Sequence, residues 1–296
     1  MHIAIIGASG FLGKNLTKYL LENTDLEITA ISLEPESISI EDKYQNRFKN
    51  IKADVLRDEE ISRALSGIDI AYYFIHMMTN YKNNFYDKEE AAAETTGKAL
   101  KSNGVKRVIY MSGLGNDSKD LSKHLASRHN TGDILRKYIH EVIEFRASMI
   151  IGEGSASFEI ARNIIDKAPI ITLPRWSKTK TQPIGITDAL LYLKEAVEIK
   201  ISKPEIVEIG GGDVMSYVEF VKKYRDYRHK KNIIIRIPFL SERVAGKSLP
   251  LLMNKNYARV GQNMLSSFRN EMIVTNNRAR ELFPNINPHK IEEFFI

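Results

Sequence analysis

The chain has 296 residues, 43% of them hydrophobic and 27% charged, ordinary values for a globular protein large enough to bury a full core. It contains no cysteine, which excludes disulfides, thiolate catalysis and thiolate metal sites. The formal charge of +6 is too modest to argue for a nucleic acid partner by itself, and no apolar run approaches the roughly 20 residues of a membrane span.

Ile3-Ala4-Ile5-Ile6 is short and apolar, as a fully buried strand is. The turn Gly7-Ala8-Ser9-Gly10-Phe11-Leu12-Gly13 follows, and Leu12, Leu16, Tyr19 and Leu20 then recur at helical spacing. Leu26 to Ile31 closes a strand–turn–helix–strand unit. A glycine turn here has a physical use: Gly7 takes a conformation barred to other residues, Gly10 lets a pyrophosphate approach the backbone, and Gly13 lets helix and strand pack closely. The unpaired N–H groups and dipole of the helix then face an anion. We expect a dinucleotide, NAD or NADP, at this turn; the bland alternative is an ordinary tight turn. With the first strand at the very start, no signal peptide is expected, and the lack of cysteine fits a cytoplasmic protein.

Strand and helix patterns alternate through the first 150 residues. Ile51-Lys52-Ala53 precedes Asp54-Val55 and a helix carrying Ile61, Ala64 and Leu65. An apolar run from Ile68 to Ile75 ends at His76. Asp87 to Asn103 reads as a helix, Arg107 to Met111 as a strand, Leu121 to Tyr138 as a helix and Val142 to Arg146 as a sixth strand. Strands separated by helices imply a parallel sheet covered on both faces, with ligands beyond the carboxyl ends of the strands. The fold class is therefore α/β, a Rossmann-type doubly wound parallel sheet with a smaller, irregular C-terminal substrate part. The division expected is 1–152 for the dinucleotide-binding core and 153–296 for a mixed segment that returns to the sheet.

Beyond residue 152, Phe158 to Asp166 looks helical, Ile170 to Leu173 extended and Ala189 to Ile199 helical. Glu205 to Ile209 reads as a strand stopped by three glycines. Ser216 is a plausible N-cap of a helix over Tyr217 to Tyr227, with Glu219 completing a capping box. Between Lys222 and Lys255 stand ten Lys and Arg against two acids, a stretch that would meet phosphate groups, an anionic partner or a membrane surface, or form a solvated face beside an anionic cofactor. The apolar run from Val244 to Met264, interrupted by Pro250, is read as a core or dimer-facing element, the alternative being a helix on a membrane surface with Lys247, Lys255 and Arg259. A homodimer is accordingly one expected assembly. No His and carboxylate cluster has ligand spacing, and no metal is expected.

These residues resemble a family, the atypical short-chain dehydrogenase/reductases of the extended, NmrA-like type, from residue 1 to about 215. The likeness is carried by Gly7 to Gly13, by Asp54-Val55, by Arg146-Ala147-Ser148-Met149-Ile150-Ile151-Gly152 and by Gln182-Pro183-Ile184 with Asp188. A subgroup of bacterial and archaeal NAD(P)-binding proteins is similar also at Tyr72-Tyr73-Phe74-Ile75-His76, Leu121 to His129 and Pro174-Arg175-Trp176. The resemblance implies that Gly7, Ser9, Gly10, Phe11, Leu12 and Gly13 meet the pyrophosphate and that Asp54 and Val55 meet the adenine. Ser32 at the end of the second strand, with Ile75, His76 and Ser148, completes the expected cofactor-binding set.

The chain departs from the family where the family does chemistry. In place of Tyr-x-x-x-Lys it offers His124-x-x-x-Arg128. Arg128 can still hydrogen-bond ribose hydroxyls, and His124 can still shuttle a proton. Ser112, one or two residues early, corresponds to the catalytic serine. His124 is expected either to transfer a proton or to be a polar helix residue near the cleft. Glu34 would favour NAD, whereas Lys14 and Ser9 would serve a 2′-phosphate, so the cofactor stays NAD or NADP. Two functions follow. One is an oxidoreductase acting on a small, apolar carbonyl or quinone-like substrate. The other is a non-catalytic dinucleotide-binding redox sensor or scaffold. His76, Met77, Met78, Tyr81 and Tyr86 would line a pocket or form a lid, or simply pack in the loop; Trp176 would pack on the substrate side.

Overall fold

The computed structural model describes residues 1–77, 85–115, 121–237 and 239–296. Met78, Tyr81 and Pro238 lie outside them. The first half runs β1 (His2–Ile6), α1 (Phe11–Asn23), β2 (Glu27–Ser32), β3 (Phe48–Lys52), α2 (Asp58–Ala64), β4 (Ile70–Tyr73), α3 (Phe85–Ser102), β5 (Arg107–Gly113), α4 (Lys123–Tyr138) and β6 (Glu141–Ala147). Next come β7 (Ile150–Ile151), α5 (Ala156–Lys167), β8 (Ile170–Leu173), β9 (Lys180–Thr181), β10 (Ile184–Gly185), α6 (Ile186–Glu195) and β11 (Glu205–Ile209). The chain ends with β12 (Met215–Ser216), α7 (Tyr217–Tyr227), β13 (Ile233–Arg236), α8 (Glu242–Leu252), α9 (Lys255–Met264) and α10 (Arg278–Leu282).

Seven strands form one sheet in the order β11-β6-β5-β4-β1-β2-β3, and every pairing in it is parallel. This is the doubly wound Rossmann-type sheet. Because both faces are covered, strand residues are apolar at successive positions instead of alternating with polar ones. Ile3 and Ile5 join the core on the side of α1 and α6, with Tyr72, Ile109 and Phe145. Ala4 and Ile6 join the opposite core beside α2, with Tyr73, Val108 and Tyr110. Winding proceeds from β1 through β2 to β3 on one side and resumes at β4 on the other. The crevice between β1 and β4 is thus the switch point where such sheets bind ligands.

After β6 the chain leaves the sheet and returns once, as β11, beside β6 in parallel register from Glu205 opposite Ile143 to Ile209 opposite Ala147. The intervening segment makes small two-stranded sheets: β10 with β7, β12 with β9, and β13 with β8. Its core centres on Phe158, Phe220 and Tyr224. The capping box at α7 is formed, with the Ser216 hydroxyl accepting from the Glu219 N–H and Glu219 accepting from the Ser216 N–H at 2.6 Å. Pro250, read as an interruption, instead sits inside α8. A proline there leaves the Gly246 carbonyl without its usual donor. Gln262 of α9 supplies one, its Nε2 donating to that carbonyl at 2.9 Å.

Candidate functional site

The glycine turn is held under the sheet edge by two donations to the Ile31 carbonyl, from the Gly7 N–H at 2.9 Å and the Ala8 N–H at 3.1 Å. Each glycine has a different geometric reason. Gly7 has φ +86°, the left-handed region, and an added Cβ would sit 3.0 Å from the Phe74 carbonyl. At Gly13 a Cβ would fall 2.5 Å from the Gly7 carbonyl oxygen and 2.6 Å from the Ala8 Cα, so only glycine lets α1 approach β1. Gly10 is exposed, its conformation is extended, and a Cβ there would meet only the Gly7 oxygen at 3.3 Å. Its lack of a side chain therefore clears space outside the fold.

Gly10 also caps α1 without any side-chain hydrogen bond. The first N–H groups of a thirteen-residue helix consequently face the crevice mouth without a capping side chain, and Ser9, Phe11 and Leu12 flank them half-buried. An open cradle with outward N–H groups fits a pyrophosphate. At the end of β2 the Ser32 hydroxyl is buried without a hydrogen-bond partner. Beyond β3, Asp54 Oδ1 accepts from the Leu56 N–H at 2.9 Å, fixing a turn that buries Val55. Glu34 is exposed in a turn past β2, and no contact sets it for or against a 2′-phosphate.

The other expected site residues gather at the same edge of the sheet. Ile75 and His76 follow β4, and Ser112 lies near the end of β5 with its hydroxyl buried and unpartnered. Ser148 follows β6 and accepts from the Thr181 hydroxyl at 3.1 Å. Arg128 is buried in α4. It donates to the Ile75 carbonyl at 2.7 Å and to the Met111 carbonyl, and its guanidinium lies 4.8 Å from the Tyr110 ring centre. One cation thus ties the ends of β4 and β5 together beside the crevice.

His124, one turn before Arg128, does not face open solvent. Its Nε2 is 3.1 Å from His76 Nε2 and its Nδ1 is 3.0 Å from the Ser267 hydroxyl, which lies 2.9 Å from that of Ser122. Burial, with the nearby charges of His76 and Arg128, pushes its pKa down to about 3, so the ring is neutral at physiological pH. A neutral imidazole has one N–H, so His124 donates to one neighbour and accepts from the other.

His76 is the accessible member, with 34% of its side chain exposed. Its Nδ1 lies 2.9 Å from Glu89 Oε1, and Glu89 also accepts from the Met77 N–H at 2.9 Å and the Ser127 hydroxyl at 2.5 Å. Burial alone would push the Glu89 carboxyl up. The charge and hydrogen bond of His76, with Arg128 and Ser127, reverse this and hold it well below the usual carboxylate range. The result is a carboxylate–imidazole–imidazole–hydroxyl line running from Glu89 through His76 and His124 to Ser267. Among the described residues, no three His, Asp or Glu side chains form a metal-ligand set.

Glu89 and Ser267 were not anticipated from the sequence. A signal for Glu89 was present: it shares the helical stripe of Ala92, Ala93, Thr96 and Leu100, all buried, while Glu90 and Lys98 are exposed. Ser267 reaches the site by tertiary folding alone.

The fold, the glycine cradle and the crevice define the class, an NAD(P)-binding Rossmann-fold protein. Residues 7–148 match the model of the NAD(P)H-binding family. The auxiliary protein GraX of Staphylococcus aureus is 30% identical over 125 residues, which are 41% of this chain and 39% of that protein. This match thus spans well under half of the relative's length. Among solved structures, a nucleoside-diphosphate-sugar epimerase of Staphylococcus aureus superposes over 100% of this chain and 99% of its own, with TM-score 0.77 and 13% identity. An NADPH-dependent quinone oxidoreductase of Escherichia coli superposes with TM-score 0.75 at 15% identity, covering 98% of this chain and 97% of its own. Triphenylmethane reductase of Citrobacter sp., complexed with NADP(H), gives 0.74 at 14%, covering 100% and 99%. At such identities the likeness shows the fold alone. Among the described residues, no helix is long and apolar enough to cross a membrane.

Proposed function

We propose that the protein is an NAD(P)-dependent oxidoreductase acting on a small, apolar carbonyl or quinone-like compound, with His76 as its proton donor. The observation that supports this most is the Glu89–His76–His124 line at the crevice mouth, where the usual tyrosine is missing. A dinucleotide held at the Gly7–Gly13 turn would supply the hydride for the substrate carbon. His76 would turn its Nε2–H from His124 to the substrate oxygen, so that a carbonyl becomes an alcohol. Glu89 stabilises His76 while it is charged and holds its Nδ1–H afterwards. His124, kept neutral by burial, positions His76 Nε2. Arg128 holds the strand ends on which Ile75 and His76 are mounted, and in this reading meets the ribose only through them. Ser112 lies within reach of the same edge as a second hydroxyl.

A single substitution tests this. His76→Phe should slow turnover roughly 10²–10⁴-fold and leave dinucleotide affinity nearly unchanged. Turnover untouched by His76→Phe would overturn the assignment. A second reading, a dinucleotide-binding regulator without turnover, is favoured by one observation: the relative with 30% identity carries the name of an auxiliary protein. It predicts binding without any substrate-dependent oxidation of the reduced dinucleotide.

A further inference from the structure

The C-terminal segment, with Met149 just past β6, lines an apolar cavity of about 400 Å³. Its walls come from α5, β8, α7, α8 and the stretch after α9, and include Ile164, Phe220, Leu249 and Phe268. Ligand pockets in proteins commonly have about 300–1,000 Å³ and mostly apolar walls. Trp176 forms one wall, its ring 5.2 Å from that of Phe268 and 6.4 Å edge-on from that of Tyr217. Two polar atoms of this wall, Trp176 Nε1 and Ser177 Oγ, are buried without a hydrogen-bond partner. Buried donors left unmade are costly, and this pair, at and beside Trp176, suits an acceptor oxygen where the head group meets that residue.

Trp176 also borders a second, more open hollow lined by Arg175, Lys178 and Arg269. Among the described residues neither Arg175 nor Lys178 has a carboxylate partner. At the rim of the apolar cavity, Ile170 and Leu251 are 50% and 85% exposed. An apolar hollow, two unmet donors and a cationic hollow therefore meet at Trp176.

We propose that this pair of hollows is a binding site for an anionic amphiphile, its apolar body in the cavity and its carboxylate or phosphate head among Arg175, Lys178 and Arg269. The apolar body is the part that removal from water stabilises, while the cations select the head. The site requires no turnover at the crevice, so it stands apart from the oxidoreductase reading.

Trp176 is the only tryptophan in the chain and touches both hollows, so its fluorescence reports on either. The full chain would be titrated with dodecanoate, dodecyl phosphate and dodecan-1-ol, each below its micellar threshold. Saturable fluorescence changes are expected with the two anions, and roughly tenfold weaker binding with the alcohol. Comparison of the anions identifies the head group that the site prefers. Arg175→Gln with Lys178→Gln should reduce anion binding to the level of the alcohol and leave the alcohol unchanged. Ala161→Phe and Ser248→Phe, each filling the cavity from a different helix, should abolish binding of all three. Circular dichroism and melting serve as fold controls that do not depend on dinucleotide binding. Three results would overturn the proposal: no saturable response to either anion, equal binding in both filled variants with intact folds, or a wild-type dimer that the filling variants dissociate while no amphiphile binds.

Discussion

Glu89, His76 and His124 divide one task by environment. Glu89 is buried and charged because it accepts three hydrogen bonds, His124 is buried and neutral because burial, His76 and Arg128 outweigh the pull of the Glu89 charge, and His76 stands at the boundary with water. The signs of their effects on stability can be worked out. His124 has its pKa lowered from 6.5 to about 3 in the folded protein, so between those values the unfolded chain binds more protons. Its contribution is fully present above 6.5 and is lost as the pH falls towards 3. Glu89 adds in the same direction at lower pH, since its depressed carboxyl favours the fold above the ordinary carboxylate range. Melting temperature followed against pH should therefore drop below 6.5 in the wild type and drop less in His124→Gln. Parallel curves would show that His124 is not held neutral by the fold. Glu89→Ala should destabilise by about 1–3 kcal/mol for each buried donor it leaves unmet, the Met77 N–H and the Ser127 hydroxyl.

At the scale of elements, the glycine turn makes two separable predictions. Gly13→Ala drives a Cβ into backbone that cannot rotate away, so both dinucleotide affinity and melting temperature should fall, the latter by roughly 1–3 kcal/mol of stability. Gly10→Val meets little protein and keeps an allowed backbone conformation, so it should melt like the wild type and yet lose the dinucleotide, as read by calorimetry. Intact affinity in Gly10→Val would remove the pyrophosphate from this turn. The first half of the sheet was legible because each element carries its own period: β1, β2, β5 and β6 stand within two residues of the apolar runs that announced them. The capping box at Ser216 was equally legible, being local. The helix through Pro250 was not, because the donor that permits it comes from Gln262, twelve residues away and on another helix. The site was half legible for the same reason. Glycines at fixed spacing announce a turn, whereas the partnership of His76 with Glu89 and of His124 with Ser267 exists only once α3, α4 and the stretch after α9 are brought together.

For the whole molecule, the sheet puts the crevice where its winding reverses, and the C-terminal segment returns through β11 to cover the β6 edge beside it. The basic stretch from Lys222 to Lys255 is partly used within this segment: Lys223 pairs with Glu292, and Arg228 and Lys230 pair with Asp166. Dinucleotide binding at the crevice agrees with both readings of function, so binding alone does not separate them. Turnover does. The most direct measurement takes reduced NAD(P) deuterated at its transferable position, mixes it with the protein and a panel of quinones, aldehydes and enones, and follows both dinucleotide absorbance and the mass of the product. The account predicts that at least one compound oxidises the dinucleotide, that the label appears on its reduced carbon, and that His76→Phe slows this step while calorimetry finds the dinucleotide still bound. Tight binding in the wild type, with no loss of absorbance and no labelled product across the panel, would contradict the oxidoreductase assignment and leave the regulator in its place.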